Sequence, residues 1–383
     1  MKQFTRTLVC LCLLLPIGAR AETFVFGDSL SDTGNAAAFV DVQFGVSIPP
    51  TSPFVPLIGL CNPIDVLVIG QGCSDLFFLQ RSVSNGPVAA QVLGDPLSVE
   101  PSFFFLPLLL RPAVFGTNYA VAGARAGGSG LGDLNAQVAG FLADLANPGL
   151  PPDAETASDS LYVVFIGGND VRDARSALVF PLRLGPPGRI IDTPTPMISP
   201  LTGLTPETII DNAVSVIAAN IRRLIQDADA RRFLVVNAPD IGRLPETRTV
   251  AAAAEELHGI PAPLIIKGAT RITRQFNNKL ALRVHQIRLE QELMGDPVEI
   301  TEFDLVAFLE GVRAAGSELG FVNTDDACFN STLYLESMSV PPTREFHPDC
   351  GVDKFDTFAF FDDIHLSGKV NALVGDALAN AVD

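Results

Sequence analysis

The sequence has few basic residues, few histidines and, after its first 21 residues, no hydrophobic run long enough to span a membrane. Its 383 residues include 26 Lys and Arg against 43 Asp and Glu, and the formal net charge is −17. Such an acidic surface argues against nucleic-acid partners and against electrostatic docking to anionic membranes. The apolar run over residues 103–110 is short and is interrupted by Pro107, so we expect no integral membrane span.

The sequence also lacks the short motifs that bind common cofactors and metals. It contains no P-loop, no dinucleotide-binding glycine pattern, no C-x-x-C pair and no cluster of its 4 histidines. We therefore expect neither a cofactor nor a metal. Internal repeats and low-complexity segments are absent too, and with 48% hydrophobic residues the chain can form a large core.

The first 21 residues have the pattern of an export signal. Lys2 and Arg6 precede an apolar run over residues 8–15, and Ala19-Arg20-Ala21 matches the A-x-A cleavage pattern. The alternative is an uncleaved anchor, but the run is shorter than the ~20 residues that a membrane span needs. We predict a signal peptide over residues 1–21 and a protein that is secreted or periplasmic after cleavage near Ala21.

Removal of that segment leaves four cysteines, an even number that suggests disulfides in an exported chain. Four cysteines allow three pairings. We favour the sequence-local pairing, Cys61–Cys73 and Cys328–Cys350, because each bond would close a single loop. Metal binding is the alternative interpretation of these residues, although they lack the spacing of a metal site.

Short apolar runs alternate with longer helical patterns along the rest of the chain. The clearest strand is residues 160–167, a continuous β-branched run typical of a parallel sheet that is buried on both faces. The other predicted strands are residues 24–26, 232–237 and 297–302, and predicted helices follow Asp133 and Thr205 and cover residues 249–258, 264–294, 303–314 and 366–382. Residues 321–357 are expected to be loop. The alternation predicts an α/β fold with helices on both faces of a parallel sheet.

A region rich in Pro and Phe covers residues 41–114. It is too apolar to be disordered, and it is long for a loop within a compact domain. We interpret it as an insertion folded over the mouth of a functional site, where it would line a groove for an acyl chain. The alternative is that its phenylalanines cover the sheet and fill the core. We expect residues 22–383 to form a single domain that includes this insertion.

The stretch from Phe24 to Asn35 starts as an apolar strand and breaks at Gly27 into a polar turn. This pattern predicts that Ser29 lies just past a buried strand, at the start of a helix. Its hydroxyl would then be at the carboxyl edge of the sheet, near unpaired N–H groups and the positive end of the helix dipole. The alternative is that Ser29 only caps the helix. Asp28 and Asp32 are interpreted as residues that brace the turn or cap the helix.

Four motifs in order along the chain give a more specific indication. They are GDSL at residues 27–30, GTNYAVAGA at 116–124, GGND at 167–170 and DDIH at 362–365. Together they resemble the four conserved blocks of the GDSL, or SGNH, family of esterases and lipases, in its secreted bacterial-type form. The resemblance implies a three-layer α/β/α, flavodoxin-like fold.

The same resemblance, combined with simple chemistry, suggests a catalytic triad. A serine hydroxyl needs a nearby base to become nucleophilic, and the base needs a third group to orient it. His365 is the best-placed of the four histidines to act as base for Ser29, and Asp362 lies three residues before it. Asp363 is the neighbouring carboxylate, one residue out of register.

The resemblance also assigns an oxyanion hole. Its donors would be the backbone N–H groups of Ser29 and Gly123 and the side-chain amide of Asn169. The residue types suit this role, because Gly permits close backbone approach and Asn offers a neutral donor. Ala122 stands where many relatives have a second glycine, and Asn118 is interpreted as a residue that holds the glycine loop.

The implied function is a secreted serine ester hydrolase that acts on carboxylic esters. The expected partner is an ester substrate, either a lipid or an acylated small molecule, and the Phe-rich insertion favours lipid or phospholipid acyl esters. Three alternatives stay open from the sequence: a polysaccharide acetyl esterase, a lipid acyltransferase and a catalytically silent extracellular binding module. The sequence makes no prediction of the oligomeric state.

Overall fold

The computed structural model describes residues 22–38, 82–93, 100–106, 111, 116–147, 159–179, 199, 202–329, 346–351 and 353–382. The predicted signal peptide, most of the Pro- and Phe-rich insertion, and both Cys61 and Cys73 lie outside these residues. No helix in the described part of the chain is long and apolar enough to cross a membrane.

A parallel four-stranded sheet forms the centre of the fold. Its strands are β1 (Thr23–Gly27), β2 (Leu161–Phe165), β3 (Arg232–Val236) and β4 (Glu299–Phe303), in the spatial order β1-β2-β3-β4. All four were predicted from apolar runs, and they are confirmed. β2 is buried along its whole length, as a central parallel strand must be.

A further segment pairs with the free edge of β1. The N–H of Tyr119 donates to the carbonyl of Val25 over 2.8 Å, and the N–H of Val121 donates to Gly27 over 3.2 Å. Residues 117–121 therefore run beside β1 on the side opposite to β2. Strand order reverses at β1, and open α/β sheets bind their ligands in the crevice at such a reversal.

Eight helices with both ends in the described part of the chain surround the sheet. They are α1 (Ala89–Leu93), α2 (Leu134–Leu145), α3 (Gly168–Val179), α4 (Pro206–Ala228), α5 (Pro245–His258), α6 (Ala262–Met294), α7 (Leu305–Ala314) and α8 (Gly368–Val382). Helices α2 to α6 pack against one another, and α8 packs against α1 and α7. These two groups are consistent with the expected three-layer α/β/α architecture.

An aromatic cluster joins β1 to α2. The ring of Phe141 lies 4.9 Å from that of Phe24 and 5.6 Å from that of Phe26, between ring centroids. Tyr119 stacks on Phe26 at 5.6 Å, and all four side chains are buried. Each such pair adds about 0.5–1.5 kcal/mol beyond the burial of its area. The cluster therefore fixes the strand that precedes Ser29.

A second sheet was not predicted. β5 (Asn323–Ala327) pairs in parallel with β6 (Phe358–Phe360), and β5 lies within residues 321–357, which were expected to be loop. The sequence of β5 is Asn-Thr-Asp-Asp-Ala, which has none of the apolar alternation that marks a strand. Its pairing depends on tertiary contacts, such as the hydrogen bond from Cys328 N–H to the carbonyl of Phe360.

The two remaining cysteines with described positions lie beside this second sheet. Cys328 and Cys350 are at disulfide distance, with their Cα atoms 5.4 Å apart. This is the pairing that we favoured for them. Buried rings of Phe355, Phe358 and Phe361 surround the bond. The cross-link therefore lies close to the residues that lead into Asp362.

The side chain of Gln137 connects α2 to the end of β1. Its Oε1 atom accepts the N–H of Gly27 over 2.9 Å, and its Nε2 atom donates to the carbonyls of Gly27 and Gly132, each over 2.7 Å. Gln137 is fully buried, so water cannot replace these bonds. The glutamine thus satisfies the backbone at the point where the strand becomes the turn.

We expect Gln137→Leu to lower the free energy of unfolding by about 1–3 kcal/mol, because it leaves buried backbone groups without partners. Urea unfolding followed by circular dichroism measures the change. Gln275→Leu on the exposed side of α6 is the control, and it should shift stability by no more than about 0.5 kcal/mol. Equal losses in both variants would contradict a special role for Gln137.

Candidate active site

Ser29 lies in a tight turn at the carboxyl end of β1. The N–H groups of Ser31 and Asp32 both donate to the carbonyl of Asp28, over 3.1 and 3.0 Å. The following helix begins only at residue 35. The prediction that Ser29 is at the start of a helix was therefore wrong, because the chain completes this turn first. Stabilisation of a charge near Ser29 falls to individual N–H groups rather than to a helix dipole.

Asp32 holds this turn and caps the helix that follows. Its Oδ1 atom accepts the N–H groups of Gly34 and Asn35, each over 2.7 Å. Its Oδ2 atom accepts the N–H groups of Ala36 over 3.0 Å and of Ala122 over 2.8 Å. Burial raises the pKa of Asp32, against the effect of these donors. The carboxylate thus joins the turn that contains Ser29 to residues 121–127, which we call the glycine loop.

Asn118 and Asn35 complete the support of the turn. Asn118 donates from Nδ2 to the carbonyl of Ser31 over 2.7 Å, and its Oδ1 accepts the N–H of Ala120 over 2.9 Å. Asn35 donates to the carbonyls of Asn118 and Ala120 over 2.8 and 2.9 Å. Both amides are fully buried. The turn is therefore fixed to the edge segment beside β1.

Ser29, His365 and Asp362 form one line of hydrogen bonds. Ser29 Oγ lies 2.9 Å from His365 Nε2, and His365 Nδ1 lies 2.8 Å from Asp362 Oδ2. Their relative exposures are 7%, 3% and 1% in that order along the line. Residues 336 positions apart are thus brought into contact in a nearly dry environment, where electrostatic interactions are stronger than in water.

The loop after β6 presents Asp362 to the imidazole. Asp362 Oδ1 accepts the backbone N–H groups of Ile364 and His365, over 2.8 and 2.6 Å. Burial by itself raises the pKa of Asp362, but the charge of His365 and the hydrogen bonds from His365 and Ile364 together hold that pKa below its ordinary value. The carboxylate therefore stays ionised beside the ring.

Asp363, the neighbouring carboxylate, has a different position. Its backbone carbonyl accepts the N–H of Glu246 at the start of α5, over 2.9 Å. The register of the loop therefore directs Asp362, and not Asp363, to the imidazole. This hydrogen bond links α5 to the loop after β6, which carries Asp362 and His365 and which we call the histidine loop.

The glycine loop has nearly all of its backbone N–H groups hydrogen-bonded. The donors are Val121, Ala122, Ala124, Arg125, Ala126 and Gly127. Carboxylates of Asp32, Asp133 and Asp170 accept four of these six bonds. No described residue accepts the N–H of Gly123, whose φ of +83° favours glycine. The N–H of Gly123 is therefore available to a ligand, while the N–H groups on either side of it are hydrogen-bonded within the protein.

Asn169 lies beside this loop, at the start of α3. Its Nδ2 atom donates to the carbonyl of Ala124 over 2.9 Å, and its Oδ1 atom accepts from Arg172 Nη1 over 3.1 Å. The preceding Gly167 has a φ of +121°, and a Cβ there would lie 2.3 Å from the ring of Phe276. Only glycine fits that bend, which brings α3 and Asn169 to the site.

One feature beside the site, an ion pair, was missed from the sequence. Arg172 and Glu246 form an ion pair beside Asn169, with Nη2 2.5 Å from Oε1. Arg172 lies one helical turn after Asn169, a spacing that a predicted helix over residues 168–179 would have revealed. We did not predict α3, because its polar residues hide its buried face.

An apolar pocket is lined in part by the sequence neighbours of the serine and the histidine. It is lined by Leu30, which follows Ser29, and by Ile364, which precedes His365. The rest of its apolar lining is Pro239, Leu244, Val306, Leu309, Val312, Ala359, Phe360, Leu366 and Val370. Asp240, Arg243, Glu310, Arg313 and Thr324 add polar groups. Within the described residues, no group of three or more His, Cys, Asp or Glu could hold a metal ion.

The pKa values of two buried carboxyls predict the pH dependence of stability. Burial raises the pKa of Asp170 to about 7 and that of Asp28 to about 6, from the ordinary value of 3.8. Both folded values lie above the unfolded one, so the folded state binds more protons between about pH 4 and pH 7. The free energy of unfolding should therefore fall as pH rises through this window.

We expect Asp170→Asn to make this fall shallower, because an amide cannot ionise. Urea unfolding of both proteins from pH 4 to pH 8 measures the slope. Asn212→Ala is a matched control, since Asn212 Nδ2 also holds Gly127, over 2.9 Å, without a titratable group. It should lower stability but keep the wild-type slope. If the free energy of unfolding of Asp170→Asn falls with pH as steeply as that of the wild type, Asp170 is not the group responsible.

Comparisons with known proteins identify the family of the chain. The chain matches the GDSL-like lipase/acylhydrolase family over residues 23–378. It is also similar to a GDSL esterase/lipase from Arabidopsis thaliana, with 28% identity over 370 residues that cover 94% of this chain and 87% of the relative. The chain therefore belongs to the GDSL-like lipase/acylhydrolase family and is a hydrolase that acts on ester bonds.

Proposed function

We propose that this protein is a secreted serine hydrolase of carboxylic esters, in which Ser29, His365 and Asp362 form the catalytic triad. The observation that carries the proposal is the buried line of hydrogen bonds from Asp362 through His365 to Ser29 Oγ. A serine hydroxyl in this arrangement has both a base and a group that orients the base. Residues 22–383 would act as one domain after removal of residues 1–21.

The reaction would proceed in two steps. In the first, His365 Nε2 takes the proton of Ser29 Oγ as that oxygen attacks the ester carbonyl, and it then gives the proton to the departing alcohol. In the second, Nε2 takes a proton from water, which attacks the acyl-serine, and returns that proton to Ser29 as the acid leaves. Asp362 stabilises the imidazolium form in both steps.

Each step passes through a negatively charged carbonyl oxygen. The N–H groups of Ser29 and Gly123 and the amide of Asn169 would bind it. Two observations support this assignment: the N–H of Gly123 has no acceptor among the described residues, and the glycine loop around it is held by three carboxylates. Preorganised donors of this kind lower the barrier by about 2.7–4 kcal/mol each.

The substrates would be lipid or phospholipid acyl esters. The apolar pocket lined by Leu30 and Ile364 supports this choice, because an apolar lining suits an acyl chain and includes the sequence neighbours of Ser29 and His365. The relative from Arabidopsis thaliana is named an esterase/lipase, which agrees with the class of bond. A secreted location would follow from the predicted signal peptide.

Ser29→Ala should abolish hydrolysis of p-nitrophenyl esters and leave the circular dichroism spectrum unchanged. We expect kcat to fall by more than about 10⁴-fold, because the nucleophile is lost. Asp362→Asn should lower kcat by about 10³–10⁴-fold. Asp363→Asn, at the neighbouring carboxylate, should keep a kcat close to that of the wild type. A fluorophosphonate probe should label wild-type protein and not Ser29→Ala.

Retained turnover in Ser29→Ala would refute the proposed nucleophile. Absence of fluorophosphonate labelling in the wild type would instead favour the binding module. If Asp363→Asn loses as much activity as Asp362→Asn, the assignment of the acid is wrong.

A series of acyl chain lengths tests the substrate class. We expect p-nitrophenyl octanoate to be preferred to the acetate in kcat/KM. Val306→Phe, which fills part of the apolar pocket, should reduce kcat/KM for octanoate by about tenfold and spare the acetate. Leu289→Phe, on the exposed face of α6, is the control for the same chemical change. Preference for acetate would favour the polysaccharide esterase, and transfer to an added alcohol would favour the acyltransferase.

A further inference from the structure

An asparagine amide stabilises an oxyanion only if its NH₂ group, and not its carbonyl oxygen, faces the substrate. The two ends of the amide have nearly the same shape, so neighbouring groups decide which end points where. A reversed amide would direct a partial negative charge at the oxyanion. The neighbours of Asn169 therefore affect the reaction even though they lie outside the oxyanion hole.

Two neighbours of Asn169 impose the same orientation. Arg172 Nη1 donates to Oδ1 over 3.1 Å, and Nδ2 donates to the carbonyl of Ala124 over 2.9 Å. A guanidinium has only donors and a backbone carbonyl has only acceptors. Reversal of the amide would place donor against donor and acceptor against acceptor. The second hydrogen of Nδ2 has no acceptor among the described residues, so it is available to a ligand.

Arg172 is itself held in place. Its Nε and Nη2 atoms donate to the two oxygens of Glu246, over 3.0 and 2.5 Å. Such a two-pronged pair fixes the plane of the guanidinium and leaves Nη1 directed at Asn169. The backbone N–H of Glu246 donates to the carbonyl of Asp363 in the histidine loop, over 2.9 Å. One ion pair thus connects the amide of Asn169 to the loop that carries His365.

Glu246 stays ionised at ordinary pH, so its ion pair with Arg172 is kept over that range. Burial alone would raise the pKa of this carboxyl, but the charges and hydrogen bonds of Arg172 and Arg175 hold it well below its usual range. Arg175 donates to the same carboxylate over 2.9 Å and to Thr247 over 2.6 Å, and none of its hydrogen bonds within the described residues is with Asn169.

We propose that Arg172 is a positioning residue that, anchored by Glu246, holds the amide of Asn169 with its NH₂ group towards the oxyanion of the substrate. The inference rests on the proposed function, since it requires Asn169 to be an oxyanion donor. It adds that the orientation of this donor is imposed from α5, through a residue that does not itself contact the substrate.

The test is a double-mutant cycle with kcat and KM measured on p-nitrophenyl octanoate. Asn169→Ala should lower kcat by about 10²–10³-fold, the usual effect of losing one donor. Arg172→Met should lower kcat by on the order of tenfold to 100-fold and change KM by less than about threefold, because a freed amide samples both orientations. In the Asn169→Ala background, Arg172→Met should cause no further loss of kcat.

Arg175→Met is the matched control. Arg175 lies one turn after Arg172 on α3 and pairs with the same carboxylate. The substitution removes that guanidinium and leaves the contacts of Asn169 in place. Its thermal stability should fall at least as much as that of Arg172→Met, while its kcat stays within about threefold of wild type. An equal loss of kcat in both variants would mean that damage to the ion pair, and not the orientation of Asn169, explains the effect.

Arg172→Lys keeps the test valid if Arg172→Met does not fold. Lysine keeps a positive charge beside Glu246, but its single ammonium cannot also replace the contact with Asn169 Oδ1. We expect a folded protein whose kcat is about tenfold lower and whose deficit disappears in the Asn169→Ala background.

The outcomes separate this inference from the proposed function. If Asn169→Ala keeps wild-type kcat, Asn169 is not an oxyanion donor and this inference fails, while the proposed triad of Ser29, His365 and Asp362 stands. If Asn169→Ala loses activity but Arg172→Met and Arg172→Lys do not, the oxyanion hole stands and only the positioning role is wrong. Equal losses from the Arg172 variants in both backgrounds would also overturn the positioning role.

Discussion

The parallel pairing of β1 with β2 is the constraint on which the rest of the site depends. Gly27 pairs with Phe165, so the two strands end level with each other. The turn with Ser29 and the turn that leads to Asn169 therefore lie side by side at one edge of the sheet. Residues 117–121 bring the glycine loop to the other side of β1. His365 arrives separately, from the loop after β6.

Buried carboxylates give this arrangement its rigidity, and their neighbours decide their charge. Asp32 and Asp170 accept backbone N–H groups without a dominant cation nearby, and burial raises the pKa of each. Asp362 and Glu246 face His365 or two arginines, and their pKa values are lowered instead. The same kind of side chain thus braces backbone turns with a raised pKa in one place and pairs with cationic groups with a lowered pKa in another.

The sequence predicted those parts of the fold whose signal is local. Apolar runs indicated the four strands, and the four motifs indicated which residues would meet at the sheet edge. Helix α3 was not predicted, because Asp173 and Arg175 occupy buried positions of a helix whose partners lie far away in the chain. Arg125 pairs with Asp173, and Glu246 pairs with Arg175. Neither contact can be read from hydrophobic periodicity. β5 was missed for the same reason.

The cross-link between Cys328 and Cys350 has a consequence for handling the protein. The N–H of Cys328 donates to the carbonyl of Phe360, two residues before Asp362. The disulfide therefore restrains the strand that leads into the histidine loop. Material expressed in a reducing cytoplasm would carry free thiols at this point. Its turnover would then reflect the oxidation history of the preparation as well as the sequence, and a recombinant sample would need an oxidising host compartment or an oxidative refolding step.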